Sequence, residues 1–213
     1  MRKLISSLFS ANDEQTMWRV KLAGDPEAFA RLMARWELPI QRLCARMTGD
    51  PHRAEDLTQT AFTRVFARRT DWEPTGRFST FLWRIALNLC HDEMRRINRR
   101  GECSLEALDE DGGAAEVFAA EEPAPDAQAD ARERGELVRE ALLQLAPQYR
   151  EVVVLRHYED LKFREIAAVL DLPEGTVKSR MAEALAQLNR FLKHLNEDKS
   201  CNHKTNRLEL RTR

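Results

Sequence analysis

The chain has 213 residues, of which 32% are charged, with a formal net charge of −1. No run approaches the roughly 18 consecutive apolar residues that a membrane-spanning helix needs, and the length suits two small domains better than one. The opening MRKLISSLFSA carries a basic dipeptide and a short apolar patch that serines break and that is at the lower limit for the core of a secretion signal, so a cytoplasmic location is expected.

Charge is unevenly spread. Residues 1–100 hold 18 Lys/Arg against 12 Asp/Glu, residues 101–135 hold 2 against 11, and residues 136–213 hold 14 against 12. Two mildly basic segments therefore flank an acidic one, and local charge, not the net value, governs binding to phosphate. The four cysteines, Cys44, Cys90, Cys103 and Cys201, form no CxxC pair and read as reduced thiols. Cys201 with His203 supplies only two ligands, short of a metal site, so neither metal nor cofactor is expected.

In chain order, the apolar spacing predicts helices near 13–23, 26–47, 52–69 and 78–99, then near 136–145, 148–158, 162–170 and 174–195. The breakers Gly24-Asp25-Pro26, Gly49-Asp50-Pro51, Pro74 with Gly76, Pro147, and Pro173 with Gly175 mark the limits. Pro26, Pro51, Pro147 and Pro173 suit a first helical turn, where the missing N–H is no loss. The fold class is all-α: two helical domains, 13–100 and 136–195, joined by an acidic flexible linker over 101–135, with a helix-turn-helix in the second. The linker's Gly112-Gly113, Pro123, Pro125 and many acids cannot bury enough surface to order it, with room for a short helix around 127–134. The tail, 196–213, is expected to be disordered.

HRAEDLTQTAFTRVFARR, His52 to Arg69, has Leu57, Ala61 and Val65 on its buried side and Asp56, Gln59, Thr60 and Thr63 on the other. A polar, lightly charged face suits a protein partner more than DNA. In RFSTFLWRIALNLCHDEMRRINRR, Arg77 to Arg100, the residues Phe78, Leu82, Ile85 and Leu89 form the apolar stripe. Arg84, Asn88, His91 and Arg95 share the opposite face. Arg95, Arg96, Arg99 and Arg100 gather at the C-terminal end, favoured there by the helix dipole and able to bind phosphate. Phe81 and Trp83 are assigned to the core, whereas Trp72, in the preceding loop Thr70 to Gly76, is a candidate for stacking on a base.

In FREIAAVLDLPEGTVKSR, Phe163 to Arg180, the residues Phe163, Ile166, Ala167 and Leu170 fall on one face, followed by a turn at Asp171 to Gly175. Val177, Met181, Ala184 and Leu188 form the inner stripe of the next helix. Lys178, Ser179, Ala182 and Glu183 are then directed outward with Arg180 at the edge, the layout of a helix that enters a major groove.

EIAAVL, PEGTVKSR and the upstream LAPQYREVVVLRHYEDL together resemble the C-terminal domain of extracytoplasmic-function sigma factors of the sigma-70 family. AEDLTQTAF and the Arg77–Arg100 helix resemble their N-terminal domain. The resemblance implies an RNA polymerase subunit that is not an enzyme. It implies that Thr176, Lys178, Ser179 and Arg180 contact the −35 promoter element beside the flap of the polymerase β subunit. Asp56 and Gln59, with Thr63 on the same face, would dock on the β′ clamp helices. Asn88, with Arg84, His91, Arg95, Arg96 and Trp72 around it, would hold the melted −10 strand. The linker would run through the polymerase, and an anti-sigma factor would be the regulatory partner. Ala182 and Glu183 stand where the family often has basic residues, so fewer phosphate contacts are implied. A stand-alone helix-turn-helix regulator is the rival reading; it accounts for the second domain but not the first. An enzyme built on Cys90 and His91 is disfavoured, because adjacent residues on a helix point about 100° apart.

Overall fold

The computed structural model describes residues 11–73, 76–101 and 125–209, and every regular element among them is helical. The segment expected to be a flexible linker lies largely outside the described residues, as does the N-terminal patch.

The first half has four helices: α1 (Ala11–Ala23), α2 (Pro26–Thr48), α3 (Pro51–Ala67) and α4 (Phe78–Gly101). Local chemistry sets their ends. The Asp25 side chain accepts from the Glu27 and Ala28 amides at 3.0 and 3.1 Å, and Asp50 accepts from those of His52 and Arg53 at 2.9 and 3.0 Å. Each aspartate caps a helix whose first residue is proline. Gly49 closes α2 at φ +81°, a left-handed conformation that glycine takes without strain. The start of α4 is capped from a distance: its Phe78 amide donates to Glu14 of α1 at 3.2 Å. Trp36 sits fully buried at the centre, edge-on to Trp83 at 5.7 Å and to Phe78 at 6.3 Å. Its indole Nε1 donates to the Asp13 carboxylate at 3.1 Å, which also takes Arg35 at 3.0 Å. Burial pushes the Asp13 carboxyl above its ordinary range in spite of both partners.

The second half contains α5 (Pro125–Gln144), α6 (Pro147–Val153), α7 (Phe163–Leu170) and α8 (Glu174–Glu209). α6 runs into one π-helical turn, Val154–Tyr158, where the Glu159 amide reaches back five residues to the Val154 carbonyl at 3.2 Å. Asp160 at φ +50° and Asp171 at φ +57° then take the left-handed conformation at the two turns, which the short polar side chain of Asp tolerates.

Three boundaries differ from expectation. α5 begins at Pro125, so the short helix expected within the linker is continuous with the helix expected from 136. The helix expected over 148–158 is α-helical only to Val153. α8 continues to Glu209, so the tail expected to be disordered is helical that far. No Gly or Pro occurs between Thr176 and Glu209, and nothing in the sequence stops the helix.

The two halves pack against one another, and their buried residues form one cluster running from Met17 to Ala184. Arg150 of α6 is the pin. Its guanidinium donates to the Met47 carbonyl in the last turn of α2, and to the Leu143 and Leu145 carbonyls at the end of α5 at 2.5 and 3.0 Å. A cation there satisfies orphan carbonyls at two negative helix ends. Nearby, Arg46 of α2 lies 3.5 Å from Glu159 and stacks 4.2 Å over the Tyr158 ring.

Arg150→Ala strands those buried carbonyls and is expected to lower stability by about 3 kcal/mol in chemical denaturation; Arg150→Lys should recover little, since one ammonium cannot span two helix ends. Burial raises the Glu159 carboxyl from 4.5 to about 7. Between those values the folded chain keeps a proton that the unfolded chain has released. Stability is therefore expected to fall as pH rises through this window, by at most about 3 kcal/mol, and to level off above it. Denaturation midpoints measured across pH 4–8 test this, and Glu159→Gln should flatten the slope.

Candidate nucleic-acid interface

α3 presents the face expected to dock. Asp56, Gln59, Thr60 and Thr63 are all exposed, while Leu57, Ala61, Phe62 and Val65 are buried beneath them. The Thr63 hydroxyl donates back to the Gln59 backbone carbonyl at 2.9 Å.

α8 presents Lys178, Ser179, Ala182 and Glu183 to solvent and buries Val177, Met181 and Ala184, the division expected from spacing. Thr176 is half-buried in the first turn. Ser179 Oγ donates to the Thr176 carbonyl at 2.9 Å. Lys178 Nζ lies 2.7 Å from Glu174 Oε1, an exposed pair one turn apart, of a kind that contributes little and exchanges readily for another anion. Glu183 accepts from Gln187 at 2.8 Å along its own helix.

On α4, Arg84, Asn88 and Arg95 are exposed and His91 is half-buried, all on one face as expected. Arg96 is tied to Glu93 at 2.8 Å. Glu93 also meets Arg53, and the Arg96 hydrogen bond is the main cause that holds its carboxyl below the usual carboxylate range. Arg95 lies 3.8 Å from Asp92 and remains largely open to solvent.

The faces of α4 and α8 converge. Arg84, Asn88 and His91 from α4, with Asp171, Leu172 and Arg180 from the helix-turn-helix, line one cleft of about 370 Å3 between the halves. Arg84 reaches across it, donating to the Ala168 carbonyl at 2.7 Å and the Val169 carbonyl at 3.2 Å in the last turn of α7. At the floor lies Glu151 of α6, its side chain only 4% exposed. Arg180 Nη1 donates to Glu151 Oε1 at 3.1 Å. His91 Nε2 stands 3.0 Å from Glu151 Oε2, but out of line for a directed hydrogen bond, so this is a contact of charges when the imidazole is protonated. Arg180, expected at the edge of the recognition helix, is at that edge but turned inward to Glu151.

One expectation is corrected. Trp72 is 2% exposed and packs in the core of the first half, with its backbone carbonyl held by Lys21 Nζ at 2.6 Å. Its ring has no open face to offer a base: a large aromatic in a short loop between two core helices gains more from burial than from exposure. Trp83 is buried as expected and Phe81 partly so. Cys44 and Cys90 are buried, free and hydrogen-bonded to one another, which, with burial, pushes the Cys90 thiol far up; such a thiol is a poor nucleophile. The side chains of Cys201 and His203 lie outside the described residues. Sequence reasoning missed Arg150 and Glu151. Both stand in the QYREVVVL string, and the available signal was an adjacent pair of opposite charges entering an otherwise apolar helix.

Each half has its own match among known protein families. Residues 27–100 match the family model for sigma-70 region 2, and residues 135–188 match that for sigma-70 region 4. The chain is 32% identical over 173 residues to the ECF RNA polymerase sigma factor SigW of Bacillus subtilis, covering 81% of this chain and 92% of that one. It is 40% identical over 159 residues to the ECF RNA polymerase sigma factor SigE of Mycolicibacterium smegmatis, covering 74% of this chain and 59% of that one. The RNA polymerase sigma-H factor of Pseudomonas aeruginosa is 30% identical, with 88% and 97% covered. Among solved structures, CnrH in complex with the cytosolic domain of CnrY has the same fold, with a TM-score of 0.63 and 23% identity over 86% of this chain and 98% of that one. The sigma factor RpoE bound to the anti-sigma factor NepR from Bartonella quintana gives 0.59 and 23%, over 78% and 96%. With both halves matched in order, and with SigW and the sigma-H factor aligned at 30% identity or more over at least 92% of their length, the chain belongs to the extracytoplasmic-function sigma factors of the sigma-70 family, which direct RNA polymerase to promoters.

Proposed function

We propose that this sigma factor works through three faces with separate tasks. α3 docks on the β′ clamp helices of core RNA polymerase by Asp56 and Gln59, with Thr63 beside them. α8 reads the −35 duplex with Thr176, Lys178, Ser179 and Arg180, next to the β flap. α4 holds the melted −10 strand: Asn88 hydrogen-bonds a base edge through an amide that donates and accepts, while Arg84, His91, Arg95 and Arg96 meet phosphates. Trp72 has no part in this. The observation that carries the reading is the outward set on α8, with Lys178 and Ser179 exposed at the N-terminal end of a helix that follows a helix-turn connection.

In this reading the −10 and docking unit is 13–100, the −35 unit is 136–195, and 101–135 links them through the polymerase. The protein acts in the cytoplasm, performs no chemistry of its own, and is restrained by an anti-sigma factor. Two modest DNA sites on one tethered scaffold gain affinity by effective concentration once polymerase sets their spacing, which is why neither half carries a large positive charge. A stand-alone helix-turn-helix regulator leaves the matched residues 27–100 without a task.

Run-off transcription on a pooled promoter library with core polymerase tests the reading. Specific transcripts are expected only with the protein present. The double variant Asp56→Ala, Gln59→Ala should weaken core binding about tenfold, of the order expected for polar contacts near the centre of an interface; undiminished binding would remove α3 from the docking role. In the holoenzyme, Lys178→Ala should weaken promoter binding and reduce the slope of log K against log salt by about 1. An unchanged slope takes Lys178 off the list of phosphate contacts.

A further inference from the structure

The outward stripe of α8 carries an acid at its centre. Ser179, Ala182, Glu183 and Ala186 are exposed along it, and Thr176 is half-buried at its start. At about 100° per residue, Thr176, Ser179 and Glu183 share one face, opposite the buried Val177, Met181 and Ala184. Serine and alanine are small, so this face can come close to the floor of a groove. Glu183 is the long side chain among them, and it is an anion where a phosphate contact asks for a cation.

The Glu183 carboxylate is held on one side. Gln187, one turn on, donates from Nε2 to Glu183 Oε1 at 2.8 Å, and Arg190 Nη2 stands 3.8 Å from the same oxygen. Among the described residues nothing bonds Oε2, which is left for a donor from outside the chain. An ionised carboxylate only accepts. The base edges of the major groove offer it two amino groups, cytosine N4 and adenine N6. Adenine sets its N7 acceptor beside N6, which repels a carboxylate, whereas cytosine presents N4 with no acceptor of its own on that edge. Guanine and thymine present acceptors alone.

We infer that Glu183 is a specificity-determining residue, which selects a cytosine at one position of the −35 element by accepting from its N4 amino group through Oε2. The inference deepens the reading that α8 enters the −35 duplex, and it rests on that reading. Labour is then divided along the helix. Lys178, on the flank of the stripe, meets phosphate and adds affinity for any sequence. The hydroxyls of Thr176 and Ser179 both donate and accept, so they suit several bases. Glu183 accepts only, and its charge is repelled wherever no donor meets it. It therefore penalises three bases out of four, trading general affinity for choice of sequence.

The test uses the holoenzyme, core polymerase with the full chain, and run-off transcription from a promoter library randomised across the −35 element. For the unaltered chain one position is expected to require cytosine, each other base there lowering transcript yield about tenfold. Glu183→Ala should flatten the preference at that position and leave the other positions as they were. Glu183→Gln keeps the length but puts an N–H in place of Oε2, and it should lose the cytosine preference too, since that edge of cytosine offers no acceptor. The side chain is exposed, and alanine favours the helix, so the variants fold. An identical −35 preference for the unaltered chain and Glu183→Ala overturns the inference. So does an even rise in yield across all templates, which means that the charge repels phosphate and reads no base. The two readings fail differently. Preferences along the −35 element that ignore residue 183 remove Glu183 and keep α8 on the duplex. If no −35 position matters to the unaltered chain, the assignment of α8 itself fails.

Discussion

The structure turns on one buried cation. Arg150 enters at the junction where α2 ends, α5 ends and α6 begins, and its guanidinium answers carbonyls from the first two. Each helix end presents acceptors that no backbone donor reaches, and buried acceptors must be satisfied. No carboxylate neutralises Arg150 among its described partners, and burial lowers its guanidinium below the usual arginine range. The partial negative charge of two converging helix ends holds it instead. The position of the second half against the first, the depth of Glu151 one residue on, and the width of the cleft above it all follow from that anchor.

Much of this was legible locally. Helix starts followed from aspartate and proline pairs, Asp25-Pro26 and Asp50-Pro51, because capping and a fixed φ act within three residues. The two faces of α8 followed from the spacing of Val177, Met181 and Ala184, because a helix has one period. The exposed polar face of α3 followed in the same way. These readings depend only on neighbours along the chain.

What was not legible depends on partners far along it. Trp72 reads as a loop aromatic until Lys21, from α1, is brought to its carbonyl and the core closes around its ring. Arg180 reads as an edge residue of a recognition helix until Glu151, 29 residues earlier, is placed beneath it. Arg84 reads as a free cation until α7, more than 80 residues later, ends in front of it. For the two arginines local pattern found the right face of the helix, and long-range packing decided what that face meets; for Trp72 it decided burial itself. The length of α8 is the opposite case: local propensity carried the helix beyond the end suggested by apolar spacing, since no breaker intervenes.

A protein that must bind DNA only in company faces a constraint on charge. Strongly basic faces would bind DNA non-specifically at any salt the cell offers, and a net charge of −1 with mildly basic halves avoids this. Arg180 and Arg84 are in addition hydrogen-bonded within the chain, to Glu151 and to the end of α7. The buried acid of Glu159 lies on the same interface against Arg46. Its burial penalises the ionised form, so the folded arrangement loses stability as pH rises. The two halves are thus joined by polar contacts laid over an apolar cluster that runs from one into the other.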